Sequence, residues 1–268
     1  MAEMTSRKPD IRLRPFIKTY FAGKDEKPPE VQRTVPNGEM GLFFYRTALV
    51  CYDGRGTYRS CLSGQSVRYQ DIISHEGIDV VGVQFTSLGA RMFLHAPLYC
   101  FYDDVIALQE LPGEGWQELE ERVMTAATHE ECWQVFDTFF LNELPHSTAE
   151  TENIRRLQRA IAYGQRHVAD ARIDDVALSA CLSTRQLNRV FADIIGMPPK
   201  EYLRLQRFHH TVRSLKVNRE DTLTSIAWNN GYCDTSHITV DFRKICGYTP
   251  HELLEVSRND SDTYGWRI

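Results

Sequence analysis

Between residues 174 and 246 one pattern occurs twice, and it restricts the fold of this stretch more than any other feature of the chain. Each copy reads as a short helix, a tight turn and a longer capped helix. In the first copy Asp174 and Asp175 bring negative charge to a helix N-terminus, and Val176, Ala177 and Ala180 supply small packing residues. That helix stops near Cys181-Leu182. Ser183 caps the next one, where Leu187, Val190, Phe191 and Ile194 recur at helical spacing. In the second copy residues 223–228 form the short helix, and Asn229-Asn230-Gly231-Tyr232 makes a turn with glycine at the position that requires positive φ. Asp234 or Thr235 caps the following helix, which turns Ile238 and Phe242 inward. The two longer helices are expected to begin 52 residues apart, at Thr184 and Ser236.

The polar face of the first long helix carries Thr184, Arg185, Gln186, Asn188 and Arg189; Ser236, His237 and Thr239 face outward on the second. Arginine can grip guanine with two hydrogen bonds, and asparagine or glutamine can do the same with adenine. One such unit alone is better read as a plain helical hairpin with a solvated polar face. Between the units, Pro198-Pro199 starts a helix that runs to about Val217. Its roughly 18 residues, at about 1.5 Å each, give about 27 Å. That is comparable with the roughly 34 Å of one DNA turn. A strut of this length can hold two helices in successive major grooves on one duplex face, and the combination is far more specific than either unit.

Charge follows the same division. Residues 1–150 hold 14 Lys/Arg against 22 Asp/Glu, a balance of −8, whereas residues 151–257 hold 15 against 12, a balance of +3. A polyanion partner is therefore compatible with the C-terminal part only. Seven scattered cysteines without a CxxC pair argue for reduced thiols rather than a disulfide framework or a zinc ribbon. No apolar run approaches the length of a membrane span, and the first residues lack the apolar stretch of a signal peptide. The expected compartment is the cytoplasm.

Residues 11–22 and 31–100 read as β-rich. Apolar and aromatic runs at 42–45, 48–52 and 80–85 are bounded by turn material at Pro36-Asn37-Gly38, Asp53-Gly54 and Ser63-Gly64. Short strands at this spacing predict a small barrel or sandwich. Residues 88–94 read as a short helix, and residues 116–125 and 130–144 as amphipathic helices. The second of these carries Trp133, Phe136, Phe139 and Phe140 as a core or dimer stripe. Pro145-His146-Ser147-Thr148 marks a domain boundary. The expected class is α+β in two domains, a β-rich domain over 1–146 and an all-α domain over 147–257, with a frayed tail over 258–268 whose Trp266 is free to dock against the body.

The C-terminal stretch resembles the AraC/XylS family of transcription regulators. The resemblance rests on the runs at 176–191 (VALSACLSTRQLNRVF), Gly196 before Pro198-Pro199, 202–208 (YLRLQRF), 226–232 (IAWNNGY) and 242–250 (FRKICGYTP). It implies base reading by Arg185, Asn188 and Arg189 in the first unit and by Thr235, Ser236, His237 and Thr239 in the second. Ser183, Thr184, Arg243 and Lys244 are the implied phosphate contacts, with Gln186 beside them on the same face. Arg207 matches a favoured arginine of the strut, expected to make a structural ion pair. Two departures stand out: Cys181 occupies a turn position usually held by glycine, and Val240-Asp241 stands where a basic residue is common. An acid there repels phosphate, so the first unit is expected to supply most of the specificity.

The family joins this unit to a sensing or dimerisation domain, often a cupin-like β-barrel. Residues 11–144 resemble one type of it through 35–39 (VPNGE) and 80–94 (VVGVQFTSLGARMFL). Tyr45, Tyr52, Tyr58, Phe85 and Arg91 are candidates to line a pocket for a small-molecule effector, with packing as the alternative role of each. His75 and His95 are the only histidines of the β-rich region and form no HxH, so neither a metal nor another cofactor is expected. No GxSxG, GxxxxGK or HExxH is present, and Cys51 and Cys61 have no evident base. The leading expectation is a non-enzymatic, homodimeric regulator that binds double-stranded DNA, responds to an effector and engages RNA polymerase. A ligand-independent scaffold and a cupin-type enzyme with accessory helices are the alternatives.

Overall fold

The computed structural model describes residues 3–28, 31–144, 152–218 and 221–259. Ten strands come first: β1 (Glu3–Arg7), β2 (Ile17–Asp25), β3 (Val31–Thr34), β4 (Gly41–Tyr45), β5 (Val50–Tyr52), β6 (Gly56–Tyr58), β7 (Ser60–Ser63), β8 (Gln70–Ile73), β9 (Ile78–Phe85) and β10 (Val105–Ala107). They form two antiparallel sheets, one in the order β1-β2-β9-β4-β7-β10 and one in the order β3-β8-β5-β6. Of the expected barrel or sandwich, two separate sheets fit the sandwich rather than one closed cylinder. Residues 11–16 are a turn, not a strand, and β1 lies in a segment that gave no strand signal. The helix expected over 88–94 is a single 3-10 turn, Ala90–Met92, and a second such turn spans Leu98–Phe101.

Alternation along the central strands creates two different faces. Leu42, Phe44, Val81, Val83 and Phe85 point to one side of the six-stranded sheet, against α1 (Trp116–Thr125) and α2 (His129–Asn142). Trp116, Leu119, Val123, Phe136 and Phe140 complete this core, so the aromatic stripe of α2 packs inward. Tyr45, Val80 and Cys61 point to the other side, toward Val50, Tyr52 and Ile72 of the four-stranded sheet, with Phe43 and Phe21 beside them. Gly82 permits this arrangement: a Cβ there would sit 2.2 Å from the Phe21 ring and 2.5 Å from the Leu42 carbonyl oxygen.

Seven further helices follow: α3 (Glu152–Arg166), α4 (Ile173–Ser179), α5 (Thr184–Ile194), α6 (Pro199–Val217), α7 (Leu223–Asn229), α8 (Thr235–Cys246) and α9 (Pro250–Asn259). Leu157, Val176, Leu187, Phe191, Tyr202, Leu205, Phe208, Ile226, Ile238 and Phe242 form their common core. Val35 belongs to the same cluster, so the sheets and the helices share packing rather than hanging from a free tether. The expected boundary at 145–148 and the expected docking of Trp266 lie outside the described residues.

Candidate nucleic-acid interface and cavity

The two helix-turn-helix units close their turns with the same backbone hydrogen bond. Leu182 N–H donates to Ala177 O at 3.0 Å, and Tyr232 N–H donates to Ala227 O at 2.9 Å. Cys181 and Gly231 occupy equivalent positions with φ of +54° and +76°. Gly231 adopts that conformation freely, whereas Cys181 holds a side chain in the left-handed region, at a cost of about 1–2 kcal/mol. Each long helix is fastened at its start. Ser183 and Gln186 form a capping box on α5, and the Asp234 carboxylate accepts from His237 N–H at 2.7 Å on α8. The second helix begins at Thr235, one residue before the expected Ser236.

Caps and local bonds divide the expected contact residues into two groups. Arg185 and Arg189 are exposed on α5 with no partner among the described residues, and Ser236 is likewise exposed on α8. The others are engaged: Thr184 Oγ1 donates to Asp174 Oδ1 at 2.8 Å, and Asn188 Nδ2 donates to Thr184 O at 2.8 Å. Gln186 Oε1 accepts from Ser183 N–H at 2.9 Å. Thr239 Oγ1 donates to Thr235 O at 2.7 Å, and the His237 ring packs edge-on to Tyr232 at 5.2 Å. Arg243 and Lys244 are exposed in the last turn of α8, where they also complement the helix dipole.

Asp241 departs from its expected role. It does not face outward beside Val240, which is exposed; it is buried, accepting from Arg204 Nε at 2.5 Å and from Tyr232 OH at 3.0 Å. Repulsion of phosphate by this carboxylate therefore gives no reason to rank the two units. The structural ion pair expected of Arg207 is made instead by Arg204, which also meets Glu201 at 3.3 Å. Arg207 donates to Gly231 O at 3.4 Å and lies over the Tyr232 ring.

Between the two sheets lies a cavity of about 640 Å³, lined by Phe21, Gln32, Phe43, Tyr45, Tyr52, Gln65 and others, with Lys216 of α6 at its margin. Tyr45 and Tyr52 share a 2.5 Å hydroxyl contact there. Phe85 belongs to the opposite core, Tyr58 caps the Val105 carbonyl at the sheet edge, and Arg91 lies 3.9 Å from Asp193 of α5; none of these three lines the cavity. Gln32, Gln65 and Lys216 carry no sequence signal for this lining, because a polar residue in a short strand, a loop or a helix reads as solvent-facing. Burial pushes the Cys61 thiol up to about 12, which leaves it protonated and non-nucleophilic. Among the described residues no cluster of His, Cys, Asp or Glu is arranged to hold a metal.

One turn touches both the cavity and the helices. Residues 35–39 line the cavity, while His209 of α6 donates from Nε2 to Pro36 O at 2.8 Å. Gly38 O accepts from Gln65 Nε2 at 3.0 Å and from Ser87 Oγ at 3.2 Å, and Tyr202 OH lies 3.4 Å from Ser87 Oγ. Burial holds the His209 imidazole below its usual pKa, so it is neutral at this contact. A second bridge is Arg33, paired with Asp71 at 2.7 Å and stacked between Tyr69 and Tyr248.

Two capped helix-turn-helix units on one strut define a tandem helix-turn-helix protein. Residues 176–255 match a family model described as a helix-turn-helix domain, and residues 5–107 match one described as a domain of unknown function, DUF6597. The HTH-type transcriptional activator RhaS of Escherichia fergusonii is 32% identical over 104 residues, 37% of this chain and 36% of that protein. RhaS of Klebsiella pneumoniae is 29% identical over 109 residues, 39% of this chain and 38% of that protein. The chain thus spans little more than a third of the length of the curated relatives it matches. ToxT from Vibrio cholerae aligns over 95% of this chain and 97% of its own, with 13% identity and a TM-score of 0.48. Over its helix-turn-helix stretch the chain is thus similar to these HTH-type transcriptional activators.

Proposed function

We propose that the protein is a sequence-specific DNA-binding transcription regulator whose two long helices enter successive major grooves of one duplex. The observation that carries this reading is the pair of polar helix starts, each fixed by its own cap, in the units that precede and follow a 19-residue helix in the chain. Arg185 and Arg189 are free to reach base edges, and the engaged side chains hold the helix starts in one conformation before DNA arrives. Arg243 and Lys244 supply positive charge for the phosphates.

The cavity is the effector site of this reading, and the 35–39 turn is its link to the DNA-binding helices. A ligand that moves Gly38 or Pro36 alters the seats of Tyr202 and His209 on α6, and α6 sets the spacing of the two units. The protein acts in this scheme without catalysis, as a cytoplasmic homodimer that works with RNA polymerase. A labelled-duplex titration at several salt concentrations tests the core of it. Specific binding weakens steeply with salt as counterions are released. Affinity that is flat in salt, or equal for every sequence, refutes the proposal.

A further inference from the structure

Two buried amides in the cavity present hydrogen-bonding atoms that no described residue meets. Gln32 and Gln65 both line it and are 5% and 1% exposed. Gln65 donates through Nε2 to Gly38 O, which leaves its Oε1 without a partner; Gln32 Nε2 also has none. The register places Gln32 opposite Ile72, and Thr34 opposite Gln70, on the cavity side of the four-stranded sheet. A polar atom kept dry and unpaired costs free energy, and an apolar residue of similar size avoids that cost. Two such atoms in the wall of one cavity point to a ligand that satisfies them once the amides turn toward it.

The charged groups of the lining are mostly matched already. Lys18 holds both oxygens of Glu39 at 2.8 Å, Arg68 holds Asp103 at 2.9 Å, and Lys8 donates to Lys18 O at 3.0 Å. The unmet atoms are a neutral donor and a neutral acceptor. Around them stand the half-buried rings of Phe21 and Phe43, 5.4 Å apart, and the buried ring of Tyr45, stacked on Phe43. Aromatic faces left partly open favour a flat molecule.

We propose that the cavity binds an uncharged planar molecule of the cyclic amide or nucleobase class. Its carbonyl oxygen accepts from Gln32 Nε2, its N–H donates to Gln65 Oε1, and its ring lies against Phe21 and Phe43. This rests on the reading of the cavity as an effector site. Gln65 then joins ligand to fold directly, because the same amide holds Gly38 in the turn that α6 grips.

The test is thermal unfolding of the full chain against three probe sets: uracil and ε-caprolactam, octanoate, and D-glucose. A cyclic amide at 100-fold excess over its Kd raises Tm by about 5 °C or more, and the rise grows with the logarithm of its concentration. Gln32→Leu and Gln65→Leu each weaken that binding about tenfold or more. Without any ligand, Gln32→Leu leaves Tm equal or higher, because it removes an unpaired amide. A fall in the ligand-free Tm of Gln32→Leu shows a structural partner and overturns the proposed ligand class. A shift by octanoate or glucose alone, unchanged in both variants, overturns the class and leaves the effector site standing. If no probe set shifts Tm, both readings fall.

Discussion

Replacing Asp241 by alanine separates a structural carboxylate from one that merely repels DNA. In the structure the Asp241 side chain is 6% exposed and accepts from Arg204, whose side chain is 16% exposed, and from Tyr232 OH. Removing one member of a buried ion pair costs about 3–5 kcal/mol, because the other charge is left uncompensated. Glu201 stays 3.3 Å from Arg204 and Arg204 keeps some solvent, so the expected loss is nearer 2–4 kcal/mol. At about 2–4 °C per kcal/mol for a chain of this size, Tm falls by about 4–16 °C. Thermal unfolding measures this directly, with binding to a labelled duplex recorded at a temperature where the variant is folded. The double variant Arg204→Met with Asp241→Leu restores most of the loss, since an apolar pair can replace a buried ionic one at little cost. An unchanged Tm for Asp241→Ala, or a gain in DNA affinity without loss of stability, refutes the inward assignment and returns the residue to the DNA face.

Cys181→Gly relieves a left-handed side-chain position and raises stability by about 1 kcal/mol, seen as a Tm increase of about 2–4 °C. Arg189→Ala costs about 1–3 kcal/mol of binding at one base position, read from a panel of single-base operator variants, while Tm stays unchanged. His209 is held neutral first by burial, with Arg213 and Lys18 also opposing its charge. Its folded pKa lies below the unfolded value of 6.5, so its contribution is complete above 6.5 and is lost as pH falls through the folded pKa. The native protein therefore loses Tm between pH 7.5 and 5 more steeply than His209→Gln; parallel curves would remove His209 from the contact with Pro36.

The features legible in the residues alone are those governed by short-range rules. Helical spacing of Leu187, Val190 and Phe191, the Ser183 cap and the Gly231 turn place two helix-turn-helix units on a proline-started strut, because caps, turns and periodicity act within a few residues. The same rules bounded α1 correctly at Trp116 and Thr125. Tertiary structure alone decided which way a polar side chain points. Asp241 reads as one more charge on a DNA-facing helix until Arg204, 37 residues away, closes on it. Gln32 reads as a solvent-facing strand residue until a second sheet covers it, and Phe85 as a pocket aromatic until α2 packs over its face. Burial and pairing of these groups depend on elements far apart in the chain, and no local pattern carries that information.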